Sequence, residues 1–276
     1  MNLLLPETVS EACHLMSVHP SAVPVAGGTD LFVHWPQRMA DHDRTFLDLS
    51  GVQDLATHRW TEDELVLGAL TTYWDLIQDP RAQTALPLLV HAARQVGAVQ
   101  IQARGTWAGN IVNASPAADG VAVLMAYDAA VVLQSVEGEE EYPLSEFYTG
   151  YKAMRRRPDQ LLTGIRIPLK RYDFEMFEKV GSRAAQAITK VGVAVTMRGG
   201  RWRIVASSVA PTVRRCPALE RLLSEGGQVR GPEDLMAALR EDVAPIDDIR
   251  STARYRETVL ARLLYFGLKD VCPSIS

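Results

Sequence analysis

Apolar positions change spacing several times along the chain, and each change marks an element. Thr8-Val9-Ser10-Glu11 has the form of a capping box, so a helix is expected over residues 8–18. After the turn residues His19-Pro20-Ser21, the short apolar run 22–26 reads as a buried strand that delivers the chain into Gly27-Gly28. Runs at 46–49 and 65–69 predict further strands, the latter near a boundary between two lobes. Leu86, Leu89, Val90 and Ala93 fall at helical spacing and predict one helix over 85–96, which leads through Gly97-Ala98-Val99-Gln100-Ile101 into a second glycine-containing loop. Asp119 is expected to cap an apolar helix over 121–127, where a carboxylate suits the free amides and the positive helix end. Strands at 130–135 and 161–167 complete this lobe, and Pro168-Leu169-Lys170-Arg171 marks the next boundary.

Beyond residue 173 the pattern becomes that of a hairpin sheet succeeded by helices. Strands are expected at 174–180, 189–197 and 202–209, with the Gly199-Gly200 pair turning the last two into a hairpin. Helices should come next at 217–223, 233–239 and 251–268, packed on one antiparallel sheet. The chain shows no internal repeat and no low-complexity tract.

Composition narrows the function classes. A chain of 276 residues, 47% hydrophobic and 22% charged, can bury a core without staples. With 29 basic and 33 acidic residues it has no basic field for nucleic acid and no reason to meet a membrane surface. Cys13, Cys216 and Cys272 are far apart, which argues against a zinc site or an iron–sulfur cluster held by this chain. The start has neither a positive segment nor a long apolar core, and no window reaches transmembrane length, so a cytoplasmic location with reduced thiols is expected.

Candidate chemistry concentrates in two loops, Val25-Ala26-Gly27-Gly28-Thr29-Asp30-Leu31 and Arg104-Gly105-Thr106-Trp107-Ala108-Gly109-Asn110 with its continuation to Asp119. Small residues let backbone N–H groups approach an oxygen-rich ligand, and hydroxyl and amide side chains stand beside them as further donors. Each loop also reads as a plain turn that uses glycine for positive φ and satisfies its own backbone. Neither carries the Gly-x-Gly-x-x-Gly spacing or the Gly-Lys-Ser/Thr ending of the common nucleotide motifs. The histidines are scattered, with Asp41-His42-Asp43 a weak metal candidate. Arg155-Arg156-Arg157 reads as a solvated loop face or a contact for an acidic neighbour, and Trp35, Trp60 and Trp74 as packing or interface residues.

Ala26-Gly27-Gly28-Thr29-Asp30-Leu31 and the run Gly109-Asn110-Ile111-Val112-Asn113-Ala114-Ser115-Pro116-Ala117-Ala118-Asp119 resemble the two flavin loops of the FAD-binding medium subunit of molybdenum hydroxylases, the family of xanthine dehydrogenase and carbon monoxide dehydrogenase. Asp159-Gln160-Leu161-Leu162-Thr163-Gly164-Ile165-Arg166-Ile167-Pro168 and Arg250-Ser251-Thr252-Ala253-Arg254-Tyr255-Arg256 extend the resemblance over nearly the whole chain. It implies an α+β fold: a two-lobed FAD-binding domain of the vanillyl-alcohol-oxidase (PCMH) type at 1–170, with lobes of about 1–55 and 56–170, and a small antiparallel sheet-plus-helix C-terminal domain at 171–276.

The resemblance also implies an FAD site made of Val23, Pro24, Val25, Ala26, Gly27, Gly28, Thr29, Asp30, Leu31, Gly105, Thr106, Trp107, Ala108, Gly109, Asn110 and Ser115, its diphosphate held by main-chain amides without a cation. By the same resemblance Asp119 lies near the adenosine portion, while Leu162 and Lys179 lie against the flavin; Lys179 also reads as a solvated strand residue. Trp107-Ala108 stands where many relatives have Ile-Gly, and Gln186-Ala187-Ile188 lacks an aspartate that relatives often place before the isoleucine. The resemblance thereby implies an electron-transferring oxidoreductase subunit with no catalytic side chain and no metal of its own. Its partners would be a large molybdopterin subunit and a small subunit with two-iron two-sulfur clusters, in a dimer of heterotrimers, and its acceptor NAD+, oxygen or a quinone. The alternatives are a flavin-less interaction or assembly protein of the same fold and a free-standing flavin oxidoreductase.

Overall fold

The run Asn2–Leu4 and the apolar stretches Val23–Val25 and Thr45–Asp48 lie side by side as a parallel sheet, with Thr45–Asp48 in the middle, in the computed structural model, which describes residues 2–33, 35 and 44–275. His34 and the Asp41-His42-Asp43 candidate lie outside the described residues. Parallel neighbours need a crossover, and the helix Val9–Val18 supplies the first one. The Thr8 hydroxyl accepts from the Glu11 N–H at 3.1 Å, as the sequence pattern requires. The return half of the box differs, because the Glu11 carboxylate accepts from the Glu7 N–H at 2.9 Å rather than from Thr8.

An antiparallel sheet comes next, its strands ordered His58–Trp60, Glu64–Gly68, Leu161–Pro168, Ala130–Ser135 and Gly138–Pro143. The helices between Glu64–Gly68 and Ala130–Ser135 carry the second glycine loop. The helix expected over 85–96 is Pro87–Gln95, and a separate short helix, Pro80–Ala85, precedes it. Proline drives the residue before it out of the helical region, and Leu86 accordingly takes φ −139° and ψ 57°. Asp119–Ala126 is buried along its whole length, which suits a helix apolar on every side that has neighbours all around it.

The C-terminal sheet runs Phe174–Val180, Val191–Arg198, Arg201–Ser207 and Arg214–Arg215 in sequence order, all antiparallel. Gly199 and Gly200 take φ 56° and 76°, the left-handed values that a tight hairpin demands of its two central residues. Successive strand residues point to opposite faces. Val191, Val193 and Val195 therefore join Ile204 and the helices Pro217–Ser224, Met236–Asp242 and Ala253–Leu268 in a C-terminal core. Ala194, Val205 and Phe177 belong instead to the core of the first two sheets. Both faces are covered, so the buried run in Val191–Arg198 is continuous rather than alternating. The junction is also tied by polar contacts: the Thr196 hydroxyl donates to the Ala126 carbonyl at 2.9 Å and the Ser208 N–H to the Pro116 carbonyl at 2.7 Å.

No helix among the described residues is long and apolar enough to cross a membrane, and no group of three His, Cys, Asp or Glu side chains among them can hold a metal ion.

Candidate functional site

The two glycine loops touch. A methyl group added at Gly27 would sit 1.7 Å from the Arg104 carbonyl oxygen and 3.2 Å from the Gly105 Cα, so the first loop rests directly on the backbone of the second. Gly28 takes φ +72°, the left-handed value that glycine adopts without strain. It turns the chain from Val23–Val25 into the short helix Thr29–Val33, whose first amides have no partner within the helix.

The second loop is held by side chain and backbone together. Gly105 accepts from the Tyr73 N–H at 3.2 Å, and the Trp107 N–H donates to the Thr71 carbonyl at 3.2 Å. Thr106 then caps the helix Trp107–Val112, its hydroxyl oxygen accepting from the Gly109 N–H at 2.9 Å. That bond uses the oxygen and leaves the O–H free to donate toward a ligand.

Between the loops lies a cleft of about 560 Å³. Its wall contains Val23, Pro24, Val25, Ala26, Gly27, Gly28, Thr29, Asp30 and Leu31 from the first loop, and Gly105, Thr106, Ala108, Gly109 and Asn110 from the second. Leu161 and Leu162 close it from the five-stranded sheet, with Leu49, Ala69, Val96 and Ile101 as further apolar wall. Two polar atoms of this wall, the Asn110 Oδ1 and the Tyr73 hydroxyl, are buried without a hydrogen-bond partner. Burial, and after it the charges of Asp119 and Asp30, pushes the Tyr73 phenol well above its ordinary pKa, so it stays a neutral donor. Both atoms lie behind the cleft surface against Gly120, where an added Cβ would come within 3.0 Å of Asn110 Oδ1 and 3.1 Å of the Tyr73 hydroxyl. Close-approaching backbone and the open amides of the first loop therefore fit the diphosphate of FAD.

Four residues expected in that contact set stand outside the cleft wall. Trp107 is fully buried, with its indole packed 4.6 Å from the Tyr73 ring, so its bulk is taken up by the core instead of the ligand space. The Ser115 hydroxyl accepts locally from the Ala117 N–H at 3.3 Å. Asp119 and Lys179 are spent on one another, Nζ to carboxylate oxygen at 2.6 Å, with side chains 8% and 7% exposed. Lys179 also donates to the Gln95 carbonyl at 3.0 Å, and the Thr189 hydroxyl donates to Asp119 at 2.5 Å. Burial pushes the Asp119 carboxyl up, opposed by Lys179 and Thr189. The N-cap also differs from the expectation. Ala118 holds that position, and Asp119 opens the first turn with its carboxylate turned to the C-terminal sheet, where a cation and a hydroxyl await it.

Conversely, the cleft wall includes Tyr73, Asn113, Lys152, Arg156 and Gln160, none of which the sequence singles out as ligand contacts. Tyr73 sits in the helix Tyr73–Gln78, behind a capping box of Thr72 and Asp75 that is visible in the sequence but announces only a helix.

Residues 1–170 match the family described as the FAD binding domain in molybdopterin dehydrogenase, and residues 176–271 match the carbon monoxide dehydrogenase flavoprotein C-terminal domain. The chain is 28% identical over 258 residues to the xanthine dehydrogenase FAD-binding subunit of Escherichia coli O157:H7, covering 90% of this chain and 88% of that one. It is 30% identical over 262 residues to the caffeine dehydrogenase subunit beta of a Pseudomonas species, covering 91% and 88%. In three dimensions it resembles a chain of the carbon monoxide dehydrogenase of Hydrogenophaga pseudoflava, with a TM-score of 0.86 at 28% identity over 96% of this chain and 94% of that one.

Proposed function

Because the chain belongs to the family of FAD-binding flavoprotein subunits of molybdopterin dehydrogenases, we propose that it binds one FAD in the cleft between its glycine loops and passes electrons from a partner's iron–sulfur clusters to a terminal acceptor. The observation that carries the reading is the contact of Gly27 with the Arg104 carbonyl, which brings two amide-rich segments, far apart in sequence, to one cleft. Bound there, the flavin supplies reversible one- and two-electron redox chemistry.

The chain's own task is to bind and orient. Amides of residues 26–30, Thr106 and Ala108 are offered to the diphosphate, as oriented N–H dipoles favour an anion, whereas those of Gly105, Trp107 and Gly109 are spent on Ile101, Thr71 and Thr106. Asn110 and Tyr73 line the cleft beside the polyol, and Leu161 and Leu162 give the ring an apolar wall. No side chain of this chain is assigned as acid or base, since the redox chemistry would be the flavin's own. By analogy with these relatives, the partners are a large molybdopterin subunit and a small iron–sulfur subunit in a dimer of heterotrimers, with NAD+, oxygen or a quinone as acceptor and the cytoplasm as location.

Purification from native cells by a tag on this chain tests the reading. The expected result is a complex containing molybdenum, iron and FAD, whose flavin is reduced by the complex's substrate under anaerobic conditions. A yellow chain that turns over a substrate alone, or a colourless one, contradicts it.

A further inference from the structure

Three charged residues line the cleft, Asp30, Lys152 and Arg156. Lys152 lies in the turn between the short strands Tyr148–Gly150 and Ala153–Met154, at φ 56°, a left-handed conformation that a lysine rarely adopts. Its Nζ is anchored on Asn113, donating to the backbone carbonyl and, at 2.9 Å, to Oδ1, and Asn113 directly follows the helix of the second glycine loop. Arg156 is fixed by Nη1, which donates to the Gln160 carbonyl at 2.6 Å and the Arg157 carbonyl at 3.2 Å.

The neighbours of Arg156 show what is unusual about it. Arg157 is matched by Glu137, Glu140 and Asp159, and Arg155 donates to the Glu146 carbonyl beside the Tyr142 ring. Arg156 lines the cleft, and neither it nor Lys152 has a carboxylate within ion-pair distance among the described residues. Partial burial pulls the pKa of both cations down, opposed by the more distant carboxylates of Asp30 for Lys152 and Asp159 for Arg156; Arg156 is half-buried while Lys152 stays exposed. A ligand anion is the missing counter-charge.

We propose that Lys152 and Arg156 are binding residues for the diphosphate of the dinucleotide, so that the seat is cationic as well as amide-lined. This rests on the FAD reading above. The charge balance favours the diphosphate over the ring. Asp30 places a carboxylate within the first glycine loop, where amides alone would have to outweigh its repulsion of a dianion; two cations reverse the sign of the cleft. Lys152 is also tied to both loops, through its bonds to Asn113 and through its attraction to Asp30.

The test is titration of the full-length apoprotein with FAD, monitored by quenching of flavin fluorescence, at low and high salt. Lys152→Gln and Arg156→Gln should each raise the Kd about ten-fold or more, the loss of a charge-assisted contact, and should flatten its salt dependence. Lys152→Arg should keep most of the affinity, and the flavin midpoint potential should stay unmoved. Thermal unfolding identifies variants that fold, and Arg156→Gln decides the matter if Lys152→Gln does not. Unchanged affinity and salt dependence in folded variants would overturn the proposal. So would an effect confined to the midpoint potential, because it puts the cations at the ring. Failure of the unaltered chain to bind FAD would instead overturn the reading on which the proposal stands.

Discussion

Gly27 is the residue on which the cleft turns. Any side chain there must displace the Arg104 carbonyl, 1.7 Å from the nearest Cβ position, and backbone cannot move aside as a flexible side chain can. Gly27→Ala should cost roughly 1–3 kcal/mol of stability, as overpacking does, and should weaken FAD binding by about a hundred-fold or more because the loops part. Urea unfolding and FAD titration of the variant read the two effects separately; normal affinity would show that the loops need not touch. This residue is legible in the sequence because only glycine permits such an approach, so the need for a bare backbone is written in the residue type. Lys152 and Arg156 are not legible. A lysine in a turn and an arginine within a basic run look like solvated surface until the cleft is seen beside them.

At the scale of elements, the strand Phe174–Val180 and the helix Asp119–Ala126 are joined by the buried pair of Lys179 and Asp119, which are 60 residues apart in sequence. Removing one partner leaves a buried charge without compensation. Lys179→Met should therefore cost about 3–5 kcal/mol, and the double variant Asp119→Asn/Lys179→Met should recover much of the loss. Chemical denaturation of the three proteins checks this, and equal stability of the single and double variants would refute the coupling. Strongly patterned elements are readable from sequence, among them Ala130–Ser135 and Phe174–Val180. The edge strand Gly138–Pro143 is not. Its three glutamates hide the strand pattern, and they are accommodated because Arg157 and Arg166 reach across to Glu140 and Glu141. Such charge on an edge also discourages pairing with another sheet. The pairing of Asp119 with Lys179 is equally invisible, since neither position carries a local signal that names its partner.

At the scale of the whole molecule, the sheets form a frame whose loops meet at one cleft, and the C-terminal sheet braces the helix layer behind it. The helix Asp119–Ala126 links the two, because Gly120 lies against Asn110, Tyr73 and Trp107: a Cβ there would come within 3.0–3.3 Å of Asn110 Oδ1, the Tyr73 hydroxyl and the Trp107 ring. The cleft and the docking of the C-terminal domain are thus parts of one packing arrangement. A crystal structure of the chain grown with FAD tests the account most directly: the diphosphate is predicted between residues 26–30 and 105–109, with the ring toward Leu162, whereas FAD bound on another face, or a cleft that stays empty at saturating FAD, would contradict it.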